Sequence, residues 1–204
     1  MLQRQHGYAE LNNMTEMSNR LALNFKIKKK IAERAAEDIK DGEAVMIESG
    51  STCALLAAEL AFNRKDITII TNSNFLADYV RKAETVKIIL LGGEYQKDLQ
   101  VNVGPLIQTI ISKFHVNKLF VGADGYDLRR GFTGTNLARA DAARSMAMGA
   151  NQVVVMTDSS KFTKSGLYST FSIDEVSQLY TDNSISADML EHFRELDVEV
   201  VEID

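Results

Sequence analysis

The chain has 204 residues, enough to bury a substantial core as one domain. Its formal net charge of −5 lacks the basic balance needed to hold a phosphodiester backbone, so the chain by itself is no nucleic-acid binder. The single cysteine, Cys53, excludes an intrachain disulfide and fits a reducing cytoplasm, and no apolar stretch approaches the ~20 residues of a membrane span.

Residues 1–24 are polar and weakly periodic and read as a tail or hinge, with no signal-peptide apolar core. From Lys26 to Lys40 the positions Ile27, Ile31, Ala35 and Ile39 recur every four residues and predict a helix with one buried stripe, ended by Asp41-Gly42. Six short apolar runs follow, each stopping abruptly in small polar residues. Val45–Ile47 runs into Glu48-Ser49-Gly50-Ser51-Thr52, and Ile67–Ile70 into Thr71-Asn72-Ser73. Val86–Leu91 stops at Gly92-Gly93, and Leu119–Val121 at Gly122-Ala123-Asp124. Val153–Met156 meets Thr157-Asp158-Ser159-Ser160-Lys161, and Leu179-Tyr180 meets Thr181-Asp182. Unbroken apolar runs of this kind read as strands buried on both faces.

Helical stretches are expected between them, at about Cys53–Leu60, Phe75–Lys82, Val103–Phe114, Arg139–Gly149 and Ala187–Leu196. Val198–Ile203 alternates and reads as an edge strand, and Asp124–Asn136 as the longest loop. The fold class is therefore α/β, an open and mainly parallel sheet flanked by helices. Ligands of such sheets sit beyond the carboxyl ends of the strands, where these polar clusters gather.

Gly50-Ser51-Thr52 opens a helix directly after a strand, so free N–H groups and two hydroxyls can receive an anion there. The plainer alternative is a capped strand-to-helix turn. Thr71 and Asn72 at a neighbouring strand end favour the anion. Gly92 and Gly93 either let a ligand approach the backbone or form a tight turn. Asp124 and Asp158 stand where sugar hydroxyls could be accepted or helices capped, and Lys161 follows Asp158 at anion-binding reach. No Walker loop or dinucleotide fingerprint is present. The three histidines are scattered without metal-ligand spacing, so no metal and no cofactor is expected. Cys53 reads as a small packed residue.

With these residues placed, the order of motifs resembles the C-terminal effector-sensing domain of DeoR-type bacterial transcriptional regulators. The likeness runs from Arg20, Asn24 and Lys28 through Glu48–Thr52, Thr71–Ser73, Leu91–Gly93, Val103–Pro105, Phe120–Gly125, Gly131–Thr133 and Asp158–Phe162 to Thr181-Asp182. It implies that residues 1–24 are the hinge after a winged helix-turn-helix missing from this sequence, and that 25–204 sense a phosphorylated sugar. It further implies a cytoplasmic homo-oligomer, dimer or tetramer, with no membrane partner. Operator DNA would be engaged only through the missing domain.

The ligand's phosphate is expected at Ser49, Gly50, Ser51, Thr52 and Lys161. The sugar is expected at Glu48, Thr71, Asn72, Gly92, Gly93, Gly122, Asp124, Arg139 and Asp158. Three positions depart from the family pattern: Glu48 where Asp is usual, Tyr8 where Gly is usual, and Ala143 where Lys is usual. The fold implied is similar to that of ribose 5-phosphate isomerase, but Gly125 stands where that enzyme's motif has Glu. Its lysine and polyglycine segment is replaced by Leu128–Phe132. Enediol chemistry needs a placed base and cationic stabilisation of the oxyanion, so catalysis is not expected. The alternative is a sugar-phosphate isomerase or deaminase with Asp124 or Asp141 as base.

Overall fold

All six apolar runs form strands, and with the C-terminal run they make one seven-stranded sheet whose neighbouring pairs are all parallel. The computed structural model describes residues 2–5, 8–11 and 16–204, the first two stretches by their backbone path alone. A hairpin of β1 (Leu2–Gln5) and β2 (Tyr8–Leu11) precedes α1 (Glu16–Ala22) and α2 (Phe25–Glu37). Then come β3 (Ala44–Ile47), α3 (Ser51–Asn63), β4 (Thr68–Thr71), α4 (Asn74–Tyr79) and β5 (Lys87–Leu90). A second hairpin, β6 (Glu94–Gln96) and β7 (Val101–Val103), leads into α5 (Pro105–Ile111) and β8 (Val116–Val121). β9 (Gly125–Asp127) and β10 (Gly131–Gly134) pair antiparallel before α6 (Leu137–Ala147) and β11 (Ala150–Met156). β12 (Tyr168–Phe171) joins β10, and β13 (Gln178–Asp182), α7 (Ala187–Glu195) and β14 (Glu199–Ile203) close the chain.

The strand order is β14-β13-β11-β8-β3-β4-β5. From β3 the chain builds outward through β4 to β5, and from β8 it builds the other way. The order therefore reverses between β3 and β8, the place where open α/β sheets leave a crevice at the carboxyl ends of their strands.

Successive residues of each strand enter opposite cores, as the period-two geometry demands. Val45, Ile47, Phe120, Val154, Met156 and Tyr180 pack under α2 and α3. Met46, Leu119, Val121, Val153, Val155 and Leu179 pack on the other face, under α5, α6 and α7. Because α2 covers α3 in turn, α3 is buried on most sides, from Cys53 through Leu60, and is held rigidly against the sheet. That rigidity matters because the first turn of α3 forms one wall of the crevice.

Three expectations need correction. Part of the predicted hinge is helical: α1 buries Met17 completely, packs Leu21 four residues on against the same core, and lies against α3. Residues 1, 6–7 and 12–15 of that stretch lie outside the described residues. Asp124–Asn136 is not a long loop but the β9–β10 hairpin, whose Tyr126 and Phe132 are buried against Phe162 and Phe193. Its glycines allow this: a Cβ at Gly125 would lie 2.5 Å from the Lys164 carbonyl oxygen, so the backbone of the loop before β12 occupies the space. The helix expected from Val103 begins at Pro105, since Val101–Val103 pairs with β6 and proline suits a first helical turn.

Candidate functional site

At the reversal between β3 and β8 lies a cavity of about 110 Å³, lined by Gly50, Ser51, Thr52, Gly122, Asp124, Arg139, Asp158 and Lys161. Arg20, Leu23 and Lys28, from α1, the α1–α2 link and α2, close one side. The first turn of α3 opens into it. Gly50 is the N-cap residue and no side chain caps the turn. The hydroxyls of Ser51 and Thr52 make no hydrogen bond to another described residue, although Thr52 is buried. The leading N–H groups of a helix have no partner inside the helix, so an uncapped first turn beside two free hydroxyls offers donors for an anion.

The charges around this turn are unbalanced toward the positive: Arg20, Lys28, Arg139 and Lys161 against Asp124 and Asp158. Lys28 is almost fully buried and its Nζ donates to the Arg20 carbonyl at 2.7 Å. Burial chiefly, with repulsion from Lys161 and Arg20 opposing the attraction of Asp158, brings its pKa down to about 8. Lys28 and Lys161 thus approach one another across a space with a deficit of negative charge.

Below them Arg139 joins the two halves of the sheet. Its Nε lies 3.1 Å from Ser49 Oγ, its Nη2 3.2 Å from Glu48 Oε1 and 3.0 Å from the Ser49 carbonyl, and its Nη1 3.7 Å from Asp124 Oδ2. Glu48 is 2 % exposed, and burial pushes its carboxyl up against the opposing pull of Arg139 and the Ser49 hydroxyl. Burial would do the same to Asp124, but Arg139, Arg20 and the Thr135 hydrogen bonds outweigh it and hold that carboxyl below its ordinary value. Asp124 Oδ2 accepts from Thr135 N and Oγ1 at 3.1 and 3.0 Å, while Oδ1 is paired with Arg20. Asp158 Oδ1 accepts from Asn24 Nδ2 at 3.2 Å and from the Ser160 hydroxyl.

The residues expected from the sequence divide into two sets. Gly50, Ser51, Thr52, Gly122, Asp124, Arg139, Asp158 and Lys161 line the cavity together. Glu48, Ser49, Thr71, Asn72, Gly92 and Gly93 do not. Ser49 is fully buried and turned to Glu48 and Arg139, so its hydroxyl faces the core rather than an anion. Glu48 lines a narrower recess of about 20 Å³ with Gly134 and Ala143. Asn72 receives the Ser49 N–H and donates to the Asn102 carbonyl, and Thr71 Oγ1 receives the Ser73 N–H. Asn72 thus braces the phosphate-loop candidate from behind, while Thr71 shapes its own turn. Gly93 is needed by β7, since a Cβ there would lie 2.4 Å from the Val103 oxygen.

Asp141, the alternative base, is exposed and lines a groove between α5 and α6 outside the cavity. Cys53 is buried beneath the cavity with its thiol pushed well up by burial, as packing implies. Among the described residues no cluster of His, Cys, Asp and Glu is arranged to hold a metal ion. The cavity residues that sequence reading left without a site role are chiefly Arg20 and Lys28. Their four-residue spacing with Asn24 is no helical signal, because α1 ends at Ala22 and Asn24 takes the left-handed conformation before α2 begins.

The fold of this parallel sheet is found in a solved structure. Ribose 5-phosphate isomerase A from Methanocaldococcus jannaschii superposes with a TM-score of 0.51 and 23% identity, covering 68% of this chain and 55% of that chain. At that identity the likeness shows the fold alone. Residues 23–183 match the DeoR C terminal sensor domain, and the chain belongs to that family. It is 32% identical to the putative aga operon transcriptional repressor of Escherichia coli O157:H7 over 185 residues, 91% of this chain and 68% of that protein. It is 30% identical to the lactose phosphotransferase system repressor of Streptococcus mutans over 190 residues, 89% of this chain and 74% of that protein. The relatives are transcriptional regulators, and no helix among the described residues is long and apolar enough to cross a membrane.

Proposed function

We propose that the chain is a non-catalytic sensor that binds a phosphorylated sugar or related metabolite in the β3–β8 crevice. Its response is passed to a DNA-binding winged helix-turn-helix preceding the hinge, so that the effector alters repression of sugar-metabolism genes in the cytoplasm. A homo-oligomer suits this role, because a regulator with paired DNA-binding domains can read both halves of a symmetric operator. The observation that carries the reading is the uncapped first turn of α3, with the free hydroxyls of Ser51 and Thr52 facing Lys28 and Lys161. Phosphate would take the helix terminus and the two lysines, and the sugar hydroxyls would extend toward Asp124, Arg139 and Asp158.

The placement of the candidate bases favours the sensor over the isomerase alternative. Gly125 cannot carry a base, since backbone fills the position of any Cβ, and Asp141 is outside the crevice. Asp124 has its carboxyl depressed by two arginines, which weakens it as a proton acceptor. Calorimetric screening of sugar phosphates tests the reading: binding is expected in the parent and lost in Ser51→Asp, which sets like charge against the phosphate. Ligands that bind should show no solvent-deuterium incorporation at C1 or C2 by NMR. Incorporation abolished by Asp124→Asn would make the protein an enzyme.

A further inference from the structure

Both carboxylates of the crevice are occupied by one neighbouring segment of the same chain. Arg20 pairs with Asp124 Oδ1, the oxygen that Thr135 leaves open, and Asn24 donates to Asp158 Oδ1 at 3.2 Å. Lys28 fastens the segment by donating to the Arg20 carbonyl at 2.7 Å. The remaining space of about 110 Å³ lies well below the ~300 Å³ at which small-molecule pockets usually begin. It admits a phosphate, but the Arg20 side chain fills the region beside Asp124 that an attached sugar would need.

We propose that Arg20 and Asn24 are built-in occupants of the effector site, displaced when sugar hydroxyls take Asp124 and Asp158. The inference rests on the phosphosugar reading above. Phosphate contributes to the exchange by drawing Lys28 from the Arg20 carbonyl toward itself. Met17, fully buried at the start of α1, is the pivot about which the released helix tilts. Asn24, with φ of 54°, is the left-handed joint between α1 and α2; Leu23 beside it is 60% exposed, and Leu21 is the partly buried apolar contact that the release loosens. Release of this segment alters the path of the chain leading toward its N-terminus. A ligand acts in this way only by binding the released state better than the latched one.

Hydrogen–deuterium exchange of peptides covering residues 16–24 tests this. Without ligand, Arg20→Gln and Asp124→Asn should each accelerate exchange there by roughly tenfold or more, since each removes a charge-assisted bond, while the sheet keeps its protection. In the parent protein a binding phosphosugar such as ribose 5-phosphate or fructose 6-phosphate should accelerate the same peptides. Inorganic phosphate, which cannot reach both carboxylates, should do so less. Unchanged exchange in both variants would overturn the latch. Slower exchange with a phosphosugar would overturn displacement and make Arg20 a clamp on the ligand instead. If no phosphosugar binds while both variants exchange faster, the latch stands and the proposed effector class falls.

Discussion

Replacing Arg139 by leucine should be among the most damaging single changes in this chain. The substitution leaves Glu48, 2 % exposed, without its cation, and removes the Arg139 contact to Asp124 across the crevice. Breaking a buried pair by deleting one partner costs about 3–5 kcal/mol, far more than the ~0–1 kcal/mol of an exposed pair. For a chain of this size that is roughly a 6–20 °C fall in Tm. The pH dependence separates this mechanism from simple loss of packing. Burial already raises the Glu48 carboxyl, so the folded state holds its proton more tightly than the unfolded state does. Stability from such a group is fully present below the unfolded value of about 4.3 and is lost as pH rises through the folded value. Removing Arg139 pushes the folded value higher and extends that loss toward neutral pH. Urea unfolding at pH 7.5 and pH 5 should therefore show a large deficit at the first and partial recovery at the second. The double variant Glu48→Gln, Arg139→Gln should regain much of the loss. An equal deficit at both pH values, or one below about 1 kcal/mol at pH 7.5, would refute the reasoning.

Phosphate or phosphosugar affinity should fall as pH rises through about 8, where Lys28 loses its proton, and calorimetry from pH 7 to 9.5 on the parent and Lys28→Met should show the variant lacking that step. Gly125→Ala should cost about 1–3 kcal/mol, because the new Cβ meets the Lys164 carbonyl at 2.5 Å; urea unfolding checks this, and an unchanged midpoint would mean the β9 backbone yields freely. Phe193→Ala should cost about 3–5 kcal/mol, since Phe193 is fully buried against Tyr126, Phe132 and Phe162; a loss near 1 kcal/mol would mean that the cluster closes over the gap.

The sheet was legible because its strands are buried on both faces, which writes them as apolar runs such as Val153–Met156 that only a strand end can stop. The ends of those runs gave the crevice, and hence Gly50–Thr52, Gly122, Asp124 and Asp158. What escaped was whatever depends on distant partners. Tyr126 and Phe132 look like loop residues until Phe193 arrives from α7 to bury them. Asn72 and Gly93 have the composition of ligand contacts, but Ser49 and Val103 claim them first. Arg20 sits in a stretch read as a hinge, and its pairing with Asp124, 104 residues away in sequence, exists only once the chain is folded. The unusual Glu48 finds its explanation here too: buried beneath the crevice, it reaches Arg139 and the Ser49 hydroxyl from behind.

The central claim is that a phosphorylated effector docks its anion on the first turn of α3. Amide chemical shifts in a ¹H–¹⁵N NMR titration report on that turn directly. Adding a phosphosugar should move the resonances of Ser51, Thr52 and Cys53 in a saturable way, with the unphosphorylated sugar leaving them in place. Saturable shifts centred instead on the α5–α6 groove around Asp141 and Arg144, with the α3 turn unmoved, would contradict it.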